Sequence, residues 1–113
     1  MRPRSMMLFA VFAAAATGSR LGAQAADAKA NYDENCRKCH GVRGTPPKTM
    51  KEKFPKIATF DAKFLETHSV DSMVKVLTKG KNDDMKSFKE KMKPDEMAAV
   101  AKYVHELAAK AKP

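Results

Sequence analysis

Cys36-Arg37-Lys38-Cys39-His40 contains the only two cysteines of a 113-residue chain. Two cysteines three apart, followed at once by a histidine, form the attachment pattern of a c-type haem. On a helix, residues three and four apart share a face, so Cys36, Cys39 and His40 can address one porphyrin. The two thiols can add to the haem vinyl groups while the His40 imidazole ligates iron as the proximal ligand. Other uses of such a pair fit less well. A thioredoxin-like dithiol needs a βαβ setting, and no strand-like run follows. A structural zinc site needs a second ligand pair, yet His68 and His105 stand singly and far apart. A disulfide spanning two intervening residues would constrain little of the unfolded chain. None of the three accounts for the adjacent histidine.

Upstream, residues 1–25 read as a secretory signal peptide. Arg2 and Arg4 form a positive n-region, Met6 to Gly18 an apolar core, and Ala23-Gln24-Ala25 a small-x-small cleavage site. The apolar run falls short of the ~20 residues that span a bilayer, so no permanent membrane anchor is expected. Cleavage after Ala25 leaves residues 26–113 as one small domain, near the size at which a protein-only core becomes marginal. A covalently bound cofactor would supply both core volume and a cross-link. The whole chain carries a formal charge of +9, and removal of Arg2, Arg4 and Arg20 lowers it while leaving it basic.

The remainder reads as all-α, as short helices joined by Gly/Pro loops. A first helix is expected over about Asp27 to Lys38, with Tyr32 on the cysteine face, ending at Gly41, Gly44, Pro46 and Pro47. Lys48 to Ile57 is basic and carries no clear period. Asp61 fits an N-cap, with Phe60 and Leu65 as a hydrophobic staple. Ser69 caps a helix with Val70, Met73, Val74 and Leu77 on one face and Gly80 as its stop. Pro94 opens the last helix, where Asp95 and Glu96 sit at the positive end of the dipole. Its buried stripe is Met97, Val100, Ala101, Val104 and Ala108. No segment alternates with period two over strand length.

The arrangement resembles the class I c-type cytochromes across essentially the whole of residues 26–113. The resemblance rests on Cys36 to Gly41 with an aromatic residue four before the first cysteine, then Phe54-Pro55-Lys56-Ile57, Gly80, Met85-Lys86-Ser87-Phe88 and Tyr103-Val104. It implies a small cytochrome c fold of four to five short helices around one covalently attached haem c. It also implies that the carbonyl of Pro55 accepts from His40, with Ile57 packed on the haem and Pro47 as the alternative acceptor. Lys86 follows Met85 where the family commonly has proline.

The sixth iron position has several candidates. Met73 and Met97 lie on apolar helix stripes, and Met92 with Met97 suits a staple around the last helix start. Met85 has no packing role that periodicity assigns, and it lies in a turn-prone stretch, Asn82-Asp83-Asp84-Met85. It is the expected distal ligand, with Met92 and His68 as rivals.

Histidine–methionine ligation fills both axial positions and leaves no place for a substrate on iron. The function implied is single-electron transfer between redox partners, outside the cytoplasm, by a soluble periplasmic protein that is not an enzyme. Alternatives are a haem protein with an open sixth position that binds gas or peroxide, and an electron-transfer subunit of a larger oxidase or reductase. Lys79, Lys81, Lys86, Lys89, Lys91 and Lys93 either solubilise the surface or form a rim for acidic docking patches on a partner. Nucleic acid is a poor partner for an exported chain with few aromatics.

Overall fold

Alanine is the strongest helix former, and the stretch from Ala23 to Ala30 extends the first helix well ahead of Asp27: α1 runs over Arg20–Asn35. This computed structural model describes residues 20–111, so most of the leader assigned to residues 1–25 lies outside the described residues. The remaining helices are α2 (Arg37–His40), α3 (Lys48–Lys53), α4 (Ala62–Thr67), α5 (Val70–Lys79) and α6 (Pro94–Lys110). Among the described residues there is no strand, and no helix is long and apolar enough to cross a membrane.

The helix expected to run unbroken to Lys38 is interrupted at Cys36, whose φ of -120° leaves the helical region. Bonds from Cys36 N to Tyr32 O (2.8 Å) and from His40 N to Cys36 O (2.9 Å) keep the helical pairing across the break. The single turn of α2 therefore re-aims the cysteines and His40 without detaching them from α1. Gly41 ends that turn at φ +86°, where a Cβ would collide with the Thr45 carbonyl oxygen.

The other helix ends follow their side chains. Asp61 accepts from Phe64 N at 2.9 Å and Ser69 from Ser72 N at 3.1 Å. The Glu96 carboxylate accepts from Lys93 N at 3.0 Å and from Asn31 Nδ2 at 3.3 Å. One side chain thus caps α6 and ties it to α1. The basic Lys48–Lys53 stretch, which has no apolar period, forms α3 directly after Pro47, a residue suited to a helix start.

The core lies where α6 crosses α1 and α5. Met97, Val100, Ala101, Val104 and Ala108 of α6 are all buried, as are Ala28 and Tyr32 of α1 and Met73 and Leu77 of α5. Burying a valine- or methionine-sized side chain stabilises by about 1.5–3 kcal/mol. Tyr32 packs against Tyr103 with ring centroids 5.2 Å apart. Met92 is also buried, beside Met97 in the same core cluster, as the staple around the start of α6 predicts.

Candidate functional site

Helix α2 delivers the cysteine–histidine run to a cleft: Cys36 and His40 line its inner part, and Cys39 its mouth. Both cysteines are free thiols. Burial, with Cys39 nearby, pushes the Cys36 thiol up to about 11. A reactive redox dithiol needs the opposite shift, so this is an apolar seat suited to an uncharged sulfur such as a thioether.

His40 Nδ1 lies 3.2 Å from the carbonyl oxygen of Ala58. A carbonyl can only accept, so Nδ1 holds the hydrogen and Nε2 presents its lone pair. Burial pushes the imidazole below its ordinary value, the Ala58 bond acts the other way, and the charge of Lys81 adds to the lowering. The net result favours neutral imidazole, the form that binds a metal.

The acceptor corrects the expectation placed on Pro55 and on Pro47. Ile57 N bonds to Phe54 O at 2.9 Å, closing a turn over Pro55 and Lys56. That turn carries the chain past the proline, and Ala58 is the residue whose carbonyl meets His40. Pro55 and Ile57 line the mouth of the cleft. The side chain stacked on His40 is Phe60, with ring centroids 4.6 Å apart and planes 17° apart. Phe60 N in turn bonds to Gly44 O at 2.8 Å, fastening this segment to the loop after His40.

Met85 reaches the same cleft from the loop after α5, lining both its inner part and its mouth. The loop is built to hold it. Asn82 Oδ1 accepts from Asp84 N at 3.0 Å and from Met85 N at 2.9 Å. Lys81 N bonds to Met85 O at 2.9 Å, and Phe88 N to Leu77 O at 2.8 Å. Gly80, at φ +75°, permits the return of the chain, since a Cβ there would press on Ser87 N and Met85 O. Met73 also lines the inner cleft, as a buried wall residue of α5. His68 lines the inner cleft too, whereas Met92 is not among its lining residues.

The inner cleft is walled by Ala58, Phe60, Phe64, Val76, Leu77 and Val100 among others. Apolar walls, two sulfurs three residues apart, a free imidazole lone pair and a thioether on a braced loop fit a covalently attached haem. At the mouth stand the exposed Lys53, Lys56, Lys81, Lys86 and Lys91, with Asp83 and Asp84 between them. Lys79, Lys89 and Lys93, also expected at this rim, are exposed but lie outside that lining. Lys53 and Lys56 come from across the cleft, a pairing that no sequence period indicates.

A family model described as cytochrome C oxidase, cbb3-type, subunit III matches residues 23–104. No curated protein matches the chain. Among solved structures, the KustC0563 c-type cytochrome is similar at 28% identity with a TM-score of 0.65, covering 73% of this chain and 98% of that one. A match over most of the chain, on a fold shared with a c-type cytochrome and around a cleft suited to haem, places the chain in that cbb3-type subunit III family: it is a small class I c-type cytochrome, a haem electron-transfer protein that holds haem c covalently.

Proposed function

We propose that the protein carries single electrons outside the cytoplasm on a haem joined to Cys36 and Cys39 and ligated by His40 and Met85. The observation that carries this reading is the convergence of two differently built donors on one cleft. His40 is oriented by the Ala58 carbonyl, and Met85 is held by the Asn82 turn. Bound haem supplies an iron that alternates between the ferric and ferrous forms. The soft Met85 thioether would favour the ferrous form, and the neutral His40 imidazole would hold the iron with it. With both positions filled, the iron offers no site to a substrate.

Residues 1–25 are read as the leader that sends the chain across the membrane, with Ala26 as the first residue of the exported form. The mouth is the docking face. Lys53 and Lys91 each lie over a phenylalanine there, Phe54 at 5.2 Å and Phe88 at 5.9 Å. Cations seated on apolar rings suit a partner with acidic groups around an apolar centre. The description of the matching family supports a second reading, in which this domain serves as an electron-entry subunit of an oxidase complex.

A redox titration of the exported holoprotein, combined with a peroxide turnover assay, tests the carrier reading. A reversible one-electron titration without turnover is the expected result. Sustained peroxide consumption would replace the carrier by an enzyme with an open iron site. Purification from native periplasm and membranes then separates shuttle from subunit: a shuttle is recovered alone, and a subunit with oxidase chains.

A further inference from the structure

A histidine ring turns on a soft torsion: its χ2 is broad and roughly two-fold, so covalent geometry sets the imidazole plane only loosely. The contact of His40 Nδ1 with the Ala58 carbonyl, at 3.2 Å, pins one edge of the ring. A hydrogen bond at one edge still lets the ring rock about that edge. The face of the ring needs its own support, and Phe60 provides it. The two rings lie within 17° of parallel, with centroids 4.6 Å apart.

Phe60 is itself clamped. Its amide donates to Gly44 O at 2.8 Å. Gly44 passes so close, at φ +87°, that a Cβ there would come within 2.8 Å of Phe60 Cβ. Phe64 meets the Phe60 ring edge-on at 4.9 Å, and behind Phe64 lies the His68 ring at 4.1 Å with planes 4° apart. His105 Nε2 lies 2.6 Å from the His68 carbonyl oxygen. A carbonyl accepts only, so Nε2 carries the hydrogen and the row of rings is tied to α6. Core filling asks only for apolar volume. A flat ring laid parallel to an imidazole and braced from behind meets a stricter demand.

We propose that Phe60 is a positioning residue that sets the plane of the His40 imidazole, with Phe64 as its brace. The inference deepens the haem-carrier reading and rests on it. Partners that orient a ligating histidine commonly act through its second ring nitrogen; here the ring face is held as well. The Nε2 lone pair lies in the imidazole plane and the π system stands across it, so the plane decides how the ring's orbitals meet those of a bound metal.

Proton NMR of the holoprotein reads the plane directly. With one fixed imidazole orientation, spin in the ferric form is spread unevenly over the porphyrin, and the haem-methyl resonances are widely dispersed. Phe60→Leu keeps an apolar side chain and removes the flat face, so the imidazole samples a range of planes and the dispersion narrows. Phe64→Leu narrows it in the same sense. Met97→Ala is the control: Met97 is buried but does not line the cleft, so this change lowers stability and leaves the dispersion as it is. The ferrous wild type supplies a readout that needs no variant, a nuclear Overhauser contact between the His40 and Phe60 ring protons. Absence of that contact overturns the proposal, as does an unchanged dispersion in folded Phe60→Leu or Phe64→Leu protein. Equal narrowing in Met97→Ala overturns it too, by making the effect a general loosening of the core. Failure of the haem reading is recognised separately, by a wild type without haem absorbance.

Discussion

Tyr32 shows how much one side chain contributes to positioning the haem-binding turn. It is wholly buried, and its hydroxyl donates to the Gly41 carbonyl at 2.6 Å, directly after His40. Burial raises the phenol well above its ordinary value, so it stays a donor at every physiological pH. Tyr32→Phe keeps the ring but strands a buried carbonyl, a change that costs about 1–3 kcal/mol. Chemical denaturation of the holoprotein measures this, and an unchanged midpoint would remove the bond from the account. At the neighbouring turn, replacing both Cys36 and Cys39 by alanine should leave no haem on the chain in a denaturing gel. A haem-stained band from that double variant would disprove attachment through these sulfurs. Legibility at this scale followed side-chain chemistry. The caps Asp61 and Ser69 were readable because their own side chains do the work, and Cys36, Cys39 and His40 stood out by their motif, which the fold brings to the cleft. The role of Ala58 was not, since a backbone carbonyl leaves no mark on residue identity, and an alanine stands where a proline is looked for. Phe60 was legible as a staple but not as the ring against His40, because that contact is made by two segments far apart in sequence.

Among the elements, the loop from Gly80 to Phe88 has the most consequence for function. Besides the Asn82 turn, Ser87 Oγ donates to Thr78 O at 2.6 Å, so the loop is fastened to the last turn of α5 at several points. Asn82→Ala removes an acceptor shared by two backbone amides. The expected cost is about 1 kcal/mol per lost bond, together with faster carbon monoxide binding to the ferrous protein as Met85 becomes easier to displace. Stability and binding rates equal to the wild type would mean that the loop is held without Asn82. The placement of Met85 between two well-stopped helices was readable from Gly80 and Pro94. How the loop is braced was not, because hydrogen bonds from Asn82 depend on backbone conformation. The break at Cys36 is hidden from the sequence for a similar reason: the residues around it support an unbroken helix, and the departure is one of backbone angles alone. The alanine-rich start of α1 also suits a leader's cleavage region, so its residues alone do not announce a helix reaching back to Arg20.

For the whole molecule, the question is how charge around the cleft meets a partner. Lys53 and Lys56 stand at the mouth with Lys81, Lys86 and Lys91. Electrostatic steering of this kind can raise association rates by about 10- to 1000-fold, and it is screened over about 10 Å at 0.1 M ionic strength. Replacing Lys56 and Lys86 by glutamate should therefore slow electron transfer with an acidic partner and weaken its dependence on salt. The same change at Lys102 and Lys110, exposed on α6, should matter less. Equal losses from both pairs would mean that net charge, rather than the mouth, steers the encounter. The all-helical class was readable because a heptad-like apolar stripe is local, as is the five-residue motif that the fold brings to the cleft. The cluster of lysines at the mouth was only half readable, since α3 and the turn after it bring Lys53 and Lys56 there through the fold. The central claim, an iron closed by His40 and Met85, is tested most directly by adding carbon monoxide to the ferrous wild type, to Met85→Ala and to Met92→Ala. Met92 is buried in the core, so its loss should cost about 2–5 kcal/mol of stability while leaving the iron closed. The account predicts a rapid spectral shift in Met85→Ala alone; a wild type that binds the gas as readily, or a Met85→Ala protein that refuses it, would contradict the account.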